Sequence, residues 1–182
     1  MSEAYKDYPN VIYEICNEPN GNVTWEGNVK PYAEHIISII REHDNDAVII
    51  VGTPTWSQDV LSAAGNPVDG ENIAYTLHFY AGTHKQWLRD NADKALEKGI
   101  PLFVTEWGSV NADGNGSIDK TSTEEWFKWM DENNISSCNW AVNDKNEGSS
   151  IFSQDKTLSD TGLYIKELIW ARTKDAAWRT AN

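Results

Sequence analysis

Two short stretches place a carboxylate where an apolar run ends. "VIYEICNEPNG", Val11 to Gly21, closes on Asn17 and Glu18, and "PLFVTEWGS", Pro101 to Ser109, closes on Glu106 and Trp107. A pair of carboxyl groups on nearby strand ends is the minimum equipment for glycoside hydrolysis. One is protonated and hands its proton to the leaving oxygen, while the other is ionised and attacks the anomeric carbon. Other polar groups end the neighbouring runs: His78 near the end of "IAYTLHF" and Tyr80 just after it, and Asn139 and Trp140 within "SSCNWAV". Asn17 suits a sugar 2-hydroxyl, Tyr80 can donate to a carboxylate and orient it, and His78 can bridge such a network. Trp140 offers a flat face on which a pyranose ring stacks. Each of these residues alone has a plainer reading. Asn-Glu-Pro makes an ordinary turn, a single His or Tyr is more often a satisfied structural group, and a single Trp is more often core. Their recurrence at equivalent positions of successive units is what favours a shared site.

Those positions depend on an alternation that runs along the chain without a linker. "VIYEI", "AVIIVG", "IAYTLHF", "PLFVTEW" and "SSCNWAV" read as strands, and each is separated from the next by a helical pattern. This is the signature of βαβ units in a parallel sheet. "AVIIVG" is apolar throughout, as a strand covered on both faces must be. "VKPYAEHIISIIREH" carries Ala33, Ile36, Ile37 and Ile40 on one helical face. "HKQWLRDNADKALEKG" stops at Gly99, "STEEWFKWMDENN" opens with Ser122 or Thr123 as cap, and "SDTGLYIKELIWAR" repeats the amphipathic spacing. The roughly five units compare with eight in a closed barrel, so the predicted fold is a partial (β/α)8 barrel forming one domain over residues 1–182. The ends of its strands form the rim, where ligands bind in parallel α/β folds. Strand alternation predicts four inward sets: Glu14, Cys16 and Glu18; Thr76, His78 and Tyr80; Leu102, Val104 and Glu106; Cys138 and Trp140.

Composition narrows the partners. The 182 residues are 40% hydrophobic and carry a net charge of −13 with no Lys/Arg cluster, which argues against nucleic acid and anionic membranes and leaves neutral ligands open. No run reaches the length of a membrane span, and the first residues lack the pattern of a signal peptide. Two cysteines, Cys16 and Cys138, and four scattered histidines make neither a disulfide framework nor a metal pattern, and both cysteines read as core. Nine tryptophans exceed what one core needs. Trp126, Trp129 and Trp170 lie at helical spacing and read as packing, whereas Trp25, Trp56 and Trp107 fall in rim loops and read as sugar contacts.

Taken in order, "YPNVIYEICNEPNG", "VIIVGTPTWSQDV", "IAYTLHFYAGTHKQWLR", "PLFVTEWGS" and "SSCNWAVNDKNEGSSIF" resemble the blocks of glycoside hydrolase family five, the retaining bacterial endoglucanases of clan A, over about Tyr8 to Phe152. The resemblance is to the C-terminal part of the barrel. It implies Glu18 as acid/base, Glu106 as nucleophile, and His78 and Tyr80 as network residues. It implies Trp140 as stacking platform, and Lys145 and Glu147 as polar contacts to a neighbouring glucosyl unit. It also implies secretion, a β-1,4-glucan substrate and no metal or cofactor. The family's arginine and a further histidine come from early strands that have no counterpart in this sequence.

Three functions fit these observations. The first is a retaining endo-β-1,4-glucanase. The second is a weakly active half-barrel that binds glucan or itself. A mannanase or another clan member is the third, since "NEP" and "EWG" do not select the sugar. A sheet of about five strands has two edges, here those of "VIYEI" and "SSCNWAV", and an inner face open to water that includes Leu102, Val104 and Cys138. Such a face predicts self-association, most simply as a two-fold homodimer.

Overall fold

The computed structural model describes residues 1–173. In chain order the elements are α1 (Ser2–Tyr5), β1 (Ile12–Glu14), a π-helical turn (Trp25–Val29), α2 (Lys30–Arg41), β2 (Val48–Val51), α3 (Pro54–Ser57), α4 (Val60–Gly65), β3 (Ile73–Tyr80), α5 (Gln86–Glu97), β4 (Leu102–Gly108), α6 (Lys120–Glu132), β5 (Ser137–Asn139) and α7 (Asp160–Thr173). Every run predicted as a strand is one. All pair in parallel in the order β1-β2-β3-β4-β5, so β1 and β5 are the edges and the sheet is a half-barrel. Among the described residues no helix is long and apolar enough to cross a membrane.

The helices lie where their periodicity predicts. α2 buries Ala33, Ile37 and Ile40, one stripe spaced four and three residues apart. The chain leaves α5 through Gly99, whose φ of +89° suits a residue without a Cβ. The cap of α6 differs from the reading. Asp119, not Ser122 or Thr123, is the N-cap, its Oδ1 accepting the Ser122 amide at 3.0 Å. An aspartate one turn earlier does the same work with a charged acceptor. The short elements α3, α4 and the π-helical turn left no periodic signal, because a single turn shows no repeat.

The core lies between sheet and helices. Ile73, Tyr75, Leu77 and Phe79 of β3 point into it with Ile49 and Val51 of β2. Trp126 is its centre, stacked on Phe79 with centroids 4.0 Å apart and covered by the Arg89 guanidinium at 5.1 Å. Trp126 and Trp129 are buried as expected, but Trp170 is 62% exposed, together with Leu163 and Ile169 on the outer side of α7. The amphipathic spacing of α7 holds for Thr161, Tyr164, Ile165 and Leu168, which face the core, and Trp170 lies outside that stripe.

The opposite face of the sheet corrects two expectations. Leu102 and Val104 do not face the barrel interior; both are buried in the core under the helices. A bulge is the reason. Thr76 pairs with Phe103 and His78 with Glu106, so two steps along β3 match three along β4, and alternation inverts at the bulge. The inner face is instead lined by Ile12 and Val48, 48% and 40% exposed, with Glu14, Cys16 and Cys138. Cys138 is exposed and Cys16 half-buried, so neither cysteine belongs to the core.

Trp126→Ala should destabilise the protein by about 3–5 kcal/mol, the usual cost of emptying a buried aromatic site. Urea denaturation followed by circular dichroism checks this as a lowered midpoint.

Candidate active site

Glu18, His78, Tyr80, Glu106 and Trp140 meet in one cleft of about 620 Å³ at the C-terminal rim, joined by Asn17 and Trp56. β3 delivers His78 and Tyr80 by simple alternation. Glu106 arrives through the bulge, which sets it and Thr105 on the inner side together while Trp107 turns into the helix layer. Trp140 follows β5, tied by its amide to the Trp107 carbonyl at 2.9 Å, and stands 42% exposed. The Trp140–Ala141 peptide is cis.

Trp56 is held less comfortably. Thr55, Trp56 and Ser57 have φ of 59°, 54° and 57°, a left-handed run that costs energy in residues with a Cβ. Two bonds to the "NEP" segment hold it: the Trp56 amide donates to the Pro19 carbonyl at 3.1 Å and the Ser57 hydroxyl to the Asn17 carbonyl at 2.6 Å. The result is an indole 50% exposed beside Glu18.

Ligand atoms of Glu18, His78 and Glu106 all lie within 4.8 Å of one another. That is a geometry in which a metal ion could be held, but both ring nitrogens of His78 are already engaged. Nδ1 lies 2.9 Å from Glu18 Oε1, and Nε2 lies 2.9 Å from Thr105 Oγ1. The Thr105 hydroxyl donates its one proton to Glu14 Oε1 at 2.7 Å, so it must accept from His78 Nε2–H. A neutral His78 then presents a lone pair at Nδ1, and the bond to Glu18 exists when the carboxyl holds the proton. Two shifts favour that arrangement. Burial lowers the pKa of His78, against the opposing charges of Glu106 and Glu14, and burial raises that of Glu18. Glu14 also accepts from Thr76 Oγ1 at 3.2 Å, so its partners are hydroxyls rather than a cation.

Glu106 has a different neighbour. The Tyr80 hydroxyl donates to its Oε1 at 2.7 Å. Burial first, then the hydrogen bond and charge of Glu106, push the phenol's pKa far above its ordinary value, so Tyr80 remains a donor.

Other predicted contacts lie elsewhere. Trp25 is buried in the π-helical turn, its indole N–H donating to the Asn66 carbonyl at 2.8 Å and its ring packed on Tyr75. Trp107 is buried between Phe79 and Phe127. Neither reaches the cleft; local position near a rim does not tell which way a ring turns. Lys145 and Glu147 line a separate cavity of about 680 Å³ with Asn115, Phe152 and Asp155. The cleft also holds Thr55, Gln58, His84 and Ala112, none singled out from sequence. Thr105 too was missed, since alternation put it on the wrong face. Only "HFYAGTH", with a second histidine shortly after the first, carried a signal for His84.

Comparison with known proteins supplies the family. The model of the cellulase family, glycosyl hydrolase family 5, matches residues 1–146. Endoglucanase Z of Dickeya dadantii is 56% identical over 93% of this chain and 40% of its own length. The solved structure of cellulase Cel5C_n superposes with a TM-score of 0.89 at 48% identity, covering 92% of this chain and 54% of that one. A variant of Thermobifida fusca endoglucanase Cel5A (E5), solved in complex with cellotetraose, gives 0.84 at 32% identity over 92% of this chain and 59% of that one. The chain belongs to glycosyl hydrolase family 5. It spans about 40% of the length of the first of these relatives and a little over half that of the solved chains.

Thr105→Val removes the acceptor for His78 Nε2–H. The ring should then move its proton to Nδ1 and donate to an ionised Glu18, lowering the Glu18 pKa. Because one neutral hydrogen bond is worth roughly 0.5–1.5 kcal/mol, the shift should be on the order of half to one pH unit. A ¹³C titration of the Glu18 carboxyl in both proteins measures it.

Proposed function

We propose that this chain is a retaining endo-β-1,4-glucanase acting as one catalytic unit. The observation that carries the reading is the close pair Glu18 and Glu106, with oxygens within 4.8 Å and unequal surroundings. Such proximity leaves no room for a water between carboxylate and sugar and so favours double displacement. Glu18, its proton favoured by burial and by the His78 lone pair, protonates the glycosidic oxygen as the C1–O bond breaks. A Glu106 oxygen, oriented by Tyr80, forms an ester to C1. The sugar alcohol leaves, water attacks C1, and Glu18, now ionised, takes the proton from that water while the ester C1–O bond breaks and restores Glu106. In this reading Trp140 stacks a ring of the glycone and Asn17 accepts or donates at its 2-hydroxyl, while Lys145 and Glu147, in their separate cavity, are left for a further glucosyl unit. Trp56 stands toward the leaving group. The cellotetraose complex of the related Thermobifida enzyme supports a β-1,4-glucan as substrate, and a polymeric glucan, too large to enter a cell, favours action outside it.

An activated 2-fluoro cellobioside should label the protein stoichiometrically on the peptide containing Glu106, as read by mass spectrometry; a label on any other peptide overturns the nucleophile. Glu18→Gln should abolish turnover of cello-oligosaccharides while sparing part of the activity on aryl cellobiosides, whose leaving groups need no proton.

The open inner face favours a second reading of the chain's state. Exposed Ile12 and Val48, with the edge strands β1 and β5, support self-association as a two-fold dimer. Light scattering at micromolar concentration should give twice the chain mass; a compact monomer refutes it.

A further inference from the structure

Glu14 lies outside the cleft, four residues before Glu18 in the chain, and is exposed on the open inner face of the sheet. Double displacement gives it no task. Yet its Oε1 collects hydroxyl protons from two other strands, from Thr76 Oγ1 of β3 at 3.2 Å and from Thr105 Oγ1 of β4 at 2.7 Å. A carboxylate only accepts, so both threonines must donate to it.

The consequence is felt one bond further on. Thr105 Oγ1 also stands 2.9 Å from His78 Nε2, a separation that needs a proton between the two atoms. With its own proton committed to Glu14, Thr105 can only receive one from the ring. The ring is almost fully buried, so its N–H needs a protein acceptor. Were the Thr105 hydroxyl turned to His78 instead, its oxygen would face the Glu14 carboxylate at 2.7 Å with no proton between them. Glu14 thereby excludes the other tautomer, and the bare Nδ1 is left 2.9 Å from Glu18 Oε1.

The remaining titratable groups do not make this choice. Glu106 of β4 acts on His78 by charge, its own carboxylate is bonded to Tyr80 of β3, and the charge of Glu147 is felt at Tyr80. Cys16 and Cys138 flank Glu14 as neutral thiols, their pKa values raised by burial first and then by its charge. Charge favours a protonated ring whichever nitrogen holds the proton; a hydrogen bond selects the nitrogen.

We propose that Glu14 is a positioning residue for the acid: by taking the Thr105 proton it fixes the proton of His78 on Nε2 and turns Nδ1 toward Glu18 as an acceptor. This rests on Glu18 being the acid, so the tautomer is read apart from turnover.

Glu14→Leu removes the acceptor and puts an apolar group where water could otherwise replace it. The freed Thr105 hydroxyl should then donate to Nε2, and the ring proton should move to Nδ1 and bond an ionised Glu18. In protein labelled with ¹⁵N-histidine, long-range ¹H–¹⁵N spectra should show Nε2 of His78 protonated and Nδ1 bare in the wild type, and the reverse in Glu14→Leu. An acid must hold its proton to act, so a lowered Glu18 pKa moves the alkaline limb of kcat/KM for cello-oligosaccharides to lower pH. The move should be about half to one pH unit, the worth of one neutral hydrogen bond, or about a 3- to 10-fold loss of rate above the limb. Glu14→Gln loses the charge but keeps an acceptor oxygen, and should recover the wild-type tautomer and most of the shift. Glu14→Leu added to Thr105→Val should move the limb no further than Thr105→Val alone, since both act through one bond. An unchanged tautomer in folded Glu14→Leu, equal shifts in the Gln and Leu variants, or additive shifts in the double variant overturns the proposal. Protein that shows these tautomers but turns over no glucan at any pH overturns the hydrolase reading instead, and the spectra still decide whether Glu14 sets the proton of His78.

Discussion

The hydroxyl of Thr105 is the point on which the rest of the site depends. It has one proton to give and gives it to Glu14, so its lone pair is left for His78, and the tautomer of His78 follows. That tautomer turns Nδ1 into an acceptor aimed at Glu18. A chain of three short hydrogen bonds thus carries information from a carboxylate on the inner face, below the rim, to the carboxyl group in the cleft. Burial reinforces it from both ends, since it disfavours a charged imidazole and a charged Glu18 alike.

Thr105 can occupy this place only because β4 carries an extra residue. Without the bulge, strict alternation would turn either Thr105 or Glu106 into the helix layer. With it, both reach the inner side, while Val104 and Trp107 on either flank stay in the core. The bulge is held in turn by what lies beneath it. Trp107 packs between Phe79 and Phe127, and Phe79 stacks on Trp126, so the backbone that aims Glu106 is backed by a continuous aromatic layer. The same layer reaches His84 through the bond from the Trp126 indole to its carbonyl.

The two glutamates are thereby placed in unlike company. Glu18 meets a lone pair and Glu106 meets a hydroxyl proton, so neighbouring carboxyls are suited to opposite protonation states without any cation between them. Backbone strain at the cleft lies in the turn at Thr55–Ser57, where two hydrogen bonds to the "NEP" segment hold three left-handed residues and present Trp56. Backbone energy is there exchanged for an exposed ring beside Glu18.

The five strands, their parallel order, the rim, and the convergence of Glu18, His78, Tyr80, Glu106 and Trp140 are all legible in the order of residues alone. These follow from period and position: an apolar run marks a strand, a polar residue at its end marks the rim, and alternation along β3 has no irregularity to mislead it. The facing of β4 emerges only in the folded chain, because a bulge is a property of two strands in register and leaves no trace in one. The fold alone moved Trp25 and Trp107 into the core and left Trp170 on the surface, since the direction of an indole depends on which cavity the surrounding elements leave open. It alone found partners for Glu14, in hydroxyls from β3 and β4 far along the chain.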